Sequence, residues 1–171
     1  FIAFIFWMHF EKPPQIYKSQ TNFVPPFELS IVNVNRVGLI NVSRESVFNV
    51  FLTMITSESL QEKVFLEGDF FSKLNINFES VSDQKLAIKK FTSKLILEEA
   101  VIWNPDLKDE YQEAFLDKVD SHYERPYSLS IEGYDANALV DYLDLLFIAA
   151  NNKIRAHFIQ LISEKIKYRL D

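Results

Sequence analysis

The chain has 171 residues, 48% of them hydrophobic and 25% charged, the proportions of a folded domain rather than of a disordered tail or a multi-span membrane protein. With no cysteine there can be no disulfide, thiolate metal site or cysteine nucleophile, and with only three glycines, Gly38, Gly68 and Gly133, there is no Walker loop or dinucleotide fingerprint. A net charge of −6 and a pI near 5.1 argue against nucleic acid or anionic lipid as a polyanionic partner.

The chain opens Phe1-Ile2-Ala3-Phe4-Ile5-Phe6-Trp7-Met8-His9-Phe10, with no Lys or Arg before the apolar run and no small-residue cleavage site after it, so it is not a complete signal peptide. Ten residues at ~1.5 Å rise cover about half of a ~30 Å hydrocarbon core, and the run reads as the tail of a longer membrane span. Trp7, His9 and Phe10 followed by Glu11 and Lys12 is the order of a helix leaving lipid through the headgroup belt. Trp7, Phe10 and Lys12 are therefore the candidate membrane-interface residues. A buried strand or helix of a soluble core is the alternative, because short apolar runs are ambiguous.

Pro13-Pro14 ends any helix there. Residues 16–24 carry β-branched and aromatic side chains up to Pro25-Pro26 and predict a first strand. Residues 27–35 fit helix or strand equally, and 37–42 fit a short extended piece. From Ser43, a plausible N-cap, Val47, Phe48, Phe51, Leu52 and Ile55 recur at helical spacing. Ser59 and Glu62 form a capping-box pattern that predicts a helix from about 60 to 66, stopped by Gly68. A third helix is expected over 82–98, with Leu86, Phe91, Leu95 and Ile96 inward and Lys85, Lys89, Lys90 and Lys94 on a solvated basic face.

Residues 98–124 hold nine acidic side chains against Lys108 and Lys118. Tyr127-Ser128-Leu129-Ser130-Ile131 alternates as a strand with one buried face, and Glu132-Gly133-Tyr134 follows as a turn. Asp135 is a good N-cap, and no Gly or Pro interrupts 136–171, so one helix of about 36 residues, ~54 Å long, is expected. Its apolar stripe is Leu143, Phe147, Ala150, Ile154, Phe158, Ile162, Ile166 and Leu170. Residues 151–171 carry a net charge of +3, opposite in sign to the acidic stretch, so neighbouring subunits or segments can meet there. Ile154, Phe158, Ile162 and Ile166 are the candidate oligomer-contact residues. The helical pattern stops without Gly, Asn or Pro, and both ends of the sequence read as cuts through a longer protein.

Chemistry is hard to find. His9, His122 and His157 fall on separate elements without partners at metal-ligand spacing. No G-x-S-x-G elbow is present, and Ser82-Asp83-Gln84-Lys85 is better explained as a helix start than as a nucleophile motif. Glu98 with Glu99, or Asp109 with Glu110, are the pairs an acidic-cleft glycan hydrolase would need, and a solvated acidic loop explains them more simply. No catalytic, cofactor or metal-ligating residue is assigned, and the expectation is that the chain is not an enzyme.

The order of membrane exit, strand, Pro-Pro, two helices, alternating strand and very long helix resembles the periplasmic region of bacterial O-antigen chain-length determinants, the Wzz-like polysaccharide copolymerases. The resemblance lies in residues 16–26, in Val42-Ser43-Arg44-Glu45-Ser46-Val47-Phe48-Asn49-Val50-Phe51, in Ser57-Glu58-Ser59-Leu60, and in residues 127–142 with the helix that follows. It implies an α+β fold: residues 1–12 as the end of a transmembrane helix, 13–134 as a membrane-proximal α/β base with a small sheet, and 135–171 as the start of a long projecting helix. It implies an inner-membrane protein with its main domain in the periplasm, without cofactors. Its partners would be copies of itself in a ring, a separate polysaccharide polymerase and the growing glycan, and its role would be to set the modal chain length of a surface polysaccharide, the O-antigen of lipopolysaccharide. The family's closing strand and Pro-rich second span are not in these residues, and the acidic stretch reads as an insertion. A periplasmic ligand-binding or sensor domain on the same tether is the second expectation.

Overall fold

The computed structural model describes residues 14–24, 41–99 and 126–170. The proposed membrane-interface residues Trp7, Phe10 and Lys12, the ambiguous segment 27–35 and most of the acidic stretch lie outside them. Among the described residues no helix is long and apolar enough to cross a membrane. The fold is α+β: the described residues form a three-stranded antiparallel sheet, four short helices and one very long one.

Strand β1 (Tyr17–Phe23) pairs with β3 (Tyr127–Gly133) in a register that sets Tyr17 opposite Gly133 and Phe23 opposite Tyr127. Strand β2 (Ile96–Glu99) pairs with the other edge of β3, Ile96 opposite Ser130 and Glu99 opposite Tyr127. The last strand in the chain is thus the central one. Tyr127, Leu129 and Ile131 point from it into the core, as the alternation predicts. The expected polar face differs: Ser128 and Ser130 are also buried, at 2% and 1% exposure, and neither hydroxyl has a hydrogen-bond partner among the described residues. Strand side chains stand out from the two faces of the sheet, so burial of the serines together with Leu129 and Ile131 means that both faces of β3 are covered, and the alternation does not mark a solvent side here.

Helix α1 (Arg44–Ile55) starts where expected, the Ser46 N–H donating to Ser43 Oγ at 3.0 Å, and buries Phe48, Phe51 and Ile55. Helix α2 (Glu58–Glu67) begins two residues before the capping-box prediction, with Ser57 at its N-cap. Packing overrides the local signal. Leu60 and Gln61 are buried, and the Gln61 amide donates to the Ile55 carbonyl at 3.0 Å, satisfying the end of α1 from the first full turn of α2. Gly68 ends α2 as predicted: a Cβ there would run into the buried Phe70 ring, and Asp69 follows in the left-handed region at φ 51°. The turn α3 (Phe70–Lys73) leads to α4 (Val81–Thr92), capped by Ser80.

The predicted third helix over 82–98 needs correction at its end and on one face. It stops at Thr92, and Ile96–Glu99 is the edge strand β2. Phe91 and Ile88 face inward, but Leu86 and Ile96 are 66% and 48% exposed. The run Leu95-Ile96-Leu97 is short and apolar, and pairing with β3 settles it as strand against a helix-like spacing.

Helix α5 (Ala136–Leu170) has 35 residues, close to the expected length, and Asp135 Oδ1 accepts from the Ala138 N–H at 2.9 Å. Its first half packs on α1, α2, β1 and β3, burying Leu139, Tyr142, Leu143, Leu146, Ala150 and Ile154. Two aromatic groups fill the space beneath it. Phe23, Phe48, Phe51, Tyr127 and Phe147 meet with ring centroids 5.1–6.4 Å apart. Phe65, Phe70, Phe91 and Tyr142 meet at 4.9–6.3 Å. Such edge and offset contacts add to area burial, by about 0.5–1.5 kcal/mol per pair.

Candidate functional site

The second half of α5 carries the contact residues singled out from sequence, and the structure grades them. Ile154 is buried at 8% in the chain's own core. Phe158 and Ile162 are half-buried, and Ile166 is 43% exposed. Phe158 still packs against that core, so the strip available to another molecule begins beyond it, with Ile159 and Tyr168 exposed. Lys153, Arg155, Lys165 and Lys167 stand along this half of the helix, Glu164 being held by Gln160 Nε2 at 2.9 Å. His157 packs edge-on to Phe158, with 5.6 Å between ring centroids.

The acidic pairs do not assemble. Glu98 and Glu99 are consecutive residues of β2, so their carboxylates leave opposite faces of the sheet and cannot flank one bond. Asp109 and Glu110, like His9 and His122, lie outside the described residues. Among the described residues no three His, Cys, Asp or Glu side chains converge as a metal would require.

Two grooves flank α4, and they divide the basic face that the sequence presented as one solvated surface. Lys85 and Lys89 look into a cavity of about 500 Å³ between α2, α4 and β2, where Glu58 and Glu62 oppose them. Lys90 and Lys94 look the other way, into a cavity of about 510 Å³ that Lys73 and Tyr134 complete. Its floor is apolar, formed by Leu74, Ile76, Ala87 and Phe91. Lys73 is balanced by Asp141, 2.8 Å from its Nζ, and lies 4.8 Å over the Phe70 ring. Lys94 Nζ stands 5.6 Å above the Tyr134 ring, a cation–π distance. The Asp135 carboxylate at the same edge is occupied in capping α5. Sequence reasoning missed this groove because Lys73, Lys94 and Tyr134 are far apart along the chain and only the β3–α5 turn brings them together.

Tyr142 is the single described group whose titration clearly departs from the ordinary value: burial pushes its phenol well up, and its O–H donates to the Gln61 carbonyl at 3.4 Å. It lies inside the second aromatic group, buried behind Phe91 and lining neither groove, and serves packing rather than proton transfer.

No protein-family model matches the chain, and no curated protein matches it.

Proposed function

We propose that this chain is the membrane-proximal part of a non-enzymatic, membrane-anchored regulator that sets the modal length of a surface polysaccharide, the O-antigen of lipopolysaccharide, made by a separate polymerase. The reading is of a Wzz-like polysaccharide copolymerase, held in the inner membrane through the apolar run at residues 1–10 with its base in the periplasm. The observation that carries it is α5: half of a 35-residue helix docks on a small α+β base, and the other half leaves that base with a basic, partly apolar surface. Among the described residues the chain's own core takes no apolar residue of this helix beyond Phe158, so its outer turns are left for another molecule. The partners in this reading are further copies of the chain in a ring, the polymerase and the growing glycan.

Deleting the gene and resolving the cell-surface polysaccharide by gel electrophoresis is the direct test. Collapse of a clustered length distribution into a monotonic ladder is expected, and an unchanged distribution would overturn the proposal. A tethered binding or sensor domain is the second reading, favoured by the lysine-lined groove beside Tyr134. An unchanged distribution together with saturable binding of a small ligand would select it.

A further inference from the structure

From the groove enclosed by α3, α4 and the β3–α5 turn, we infer a binding site for an anionic sugar unit, the anion held by Lys90 and Lys94 and the sugar ring seated on Tyr134. The chain is acidic overall, at −6, yet here the balance inverts. Lys73 and Asp141 neutralise one another, and Lys90 and Lys94, with no carboxylate in ion-pair range among the described residues, outweigh the one remaining carboxylate of the lining, Asp135, which caps α5. Two amines against one carboxylate leave this concave surface with a net positive charge, a local field that attracts an anion.

Charge alone would suit any anion, and the rest of the groove narrows the choice. Its floor of Leu74, Ile76 and Phe91 offers nothing to a second charge. Tyr134 is 60% exposed, with the Lys94 amine over its ring. An exposed aromatic face next to a cation fits a pyranose, whose C–H face is apolar while a ring substituent carries the carboxylate or phosphate. A cavity of about 510 Å³ admits one or two sugar rings and is too small for a folded partner. The preference for a sugar over other amphipathic anions rests on the chain-length reading; the presence of an anion site does not.

The test is an amide NMR titration of the 171-residue chain with three probes: a glucuronate-containing hyaluronan tetrasaccharide, neutral maltotetraose and inorganic phosphate. Saturable shifts centred on residues 90, 94 and 134 are expected with hyaluronan, weakening as salt rises, with at least tenfold weaker responses to maltotetraose and phosphate. Lys90→Gln with Lys94→Gln should lower the hyaluronan affinity at least tenfold. Tyr134→Ala should lower it severalfold without changing the phosphate response. Lys85→Gln with Lys89→Gln, an equal change of charge on the opposite groove, should leave it unaltered. No saturable shift up to about 10 mM or an equal loss from the Lys85/Lys89 pair would overturn the site, and a phosphate response equal to that of hyaluronan would overturn its assignment to a sugar. Loss of binding in this titration condemns the site alone, whereas an unchanged polysaccharide distribution on gene deletion condemns the chain-length reading alone.

Discussion

The phenol of Tyr142 sits at the meeting of α2, α4 and α5, its ring edge-on to Phe70 and Phe91 at 5.3 and 4.9 Å. Burial raises its pKa above the ordinary value of 10.0. An acid whose folded pKa is raised gives up stability once the unfolded chain begins to ionise, so this contribution is whole below about pH 10 and declines as pH rises beyond it. Urea unfolding between pH 8 and pH 11 should therefore show a steeper alkaline loss for the native chain than for Tyr142→Phe. At neutral pH that variant should cost under about 1 kcal/mol, since the hydroxyl's hydrogen bond is long. Phe48 is a different case. It is 1% exposed and touches Phe23, Phe51 and Tyr127, so Phe48→Ala leaves a cavity at the joint of α1 and the sheet. A loss of about 3–5 kcal/mol is expected in denaturant titration, enough to unfold a marginal domain. Phe48 and Phe51 were legible as core from their helical spacing. The role of Gln61 was not, because nothing in a polar residue between Leu60 and Glu62 announces that its amide will reach the Ile55 carbonyl.

Elements whose signals are local were readable, and those whose identity depends on a distant partner were not. Helix α1 and helix α5 carry their own caps, Ser43 and Asp135, and their own apolar stripes, and both stand where the spacing put them. Asp135→Ala removes the acceptor for the Ala138 N–H and should lower stability by about 1 kcal/mol, seen as a fall of several degrees in the thermal midpoint. The effect should be confined to the start of α5, with hydrogen exchange accelerated at Ala138 and Leu139 and unaltered in α1. Strand β2 is the counter-example. Four residues hold too little pattern to separate strand from helix, and only the pairing of Leu97 with Leu129 settles the matter. The lysine-lined groove was hidden for the same reason: a helix expected over 82–98 places four lysines on one broad face, whereas α4 ends before Lys94 and the turn after β3 decides which two share a concavity with Tyr134.

At the scale of the whole molecule, the sheet joins β1 to β3 across more than a hundred residues, and α5 then lies over both. The base can close only after the chain has supplied β3, which makes α5 the clasp as well as the projection. The two duties separate along its length. Up to Ile154 one stripe of its apolar residues is consumed by the base, while Val140, Leu145 and Ile148 stay exposed on its outer side; from Phe158 to Tyr168 the apolar residues are half-buried or exposed, among cations that would keep an isolated helix soluble. Ile162→Lys with Ile166→Lys changes only the outer part. Neither residue belongs to the buried core, so the thermal midpoint of the dilute chain should move by less than about 0.5 kcal/mol in equivalent stability. Self-association should respond strongly, because two lysines in the middle of a helix–helix seam must either be desolvated or force the helices apart. Light scattering across a concentration series should show oligomers of the native chain shifting toward monomer in the double variant. If both remain equally associated, the outer half of α5 is not where the copies meet, and the apolar strip serves the polymerase or the glycan instead.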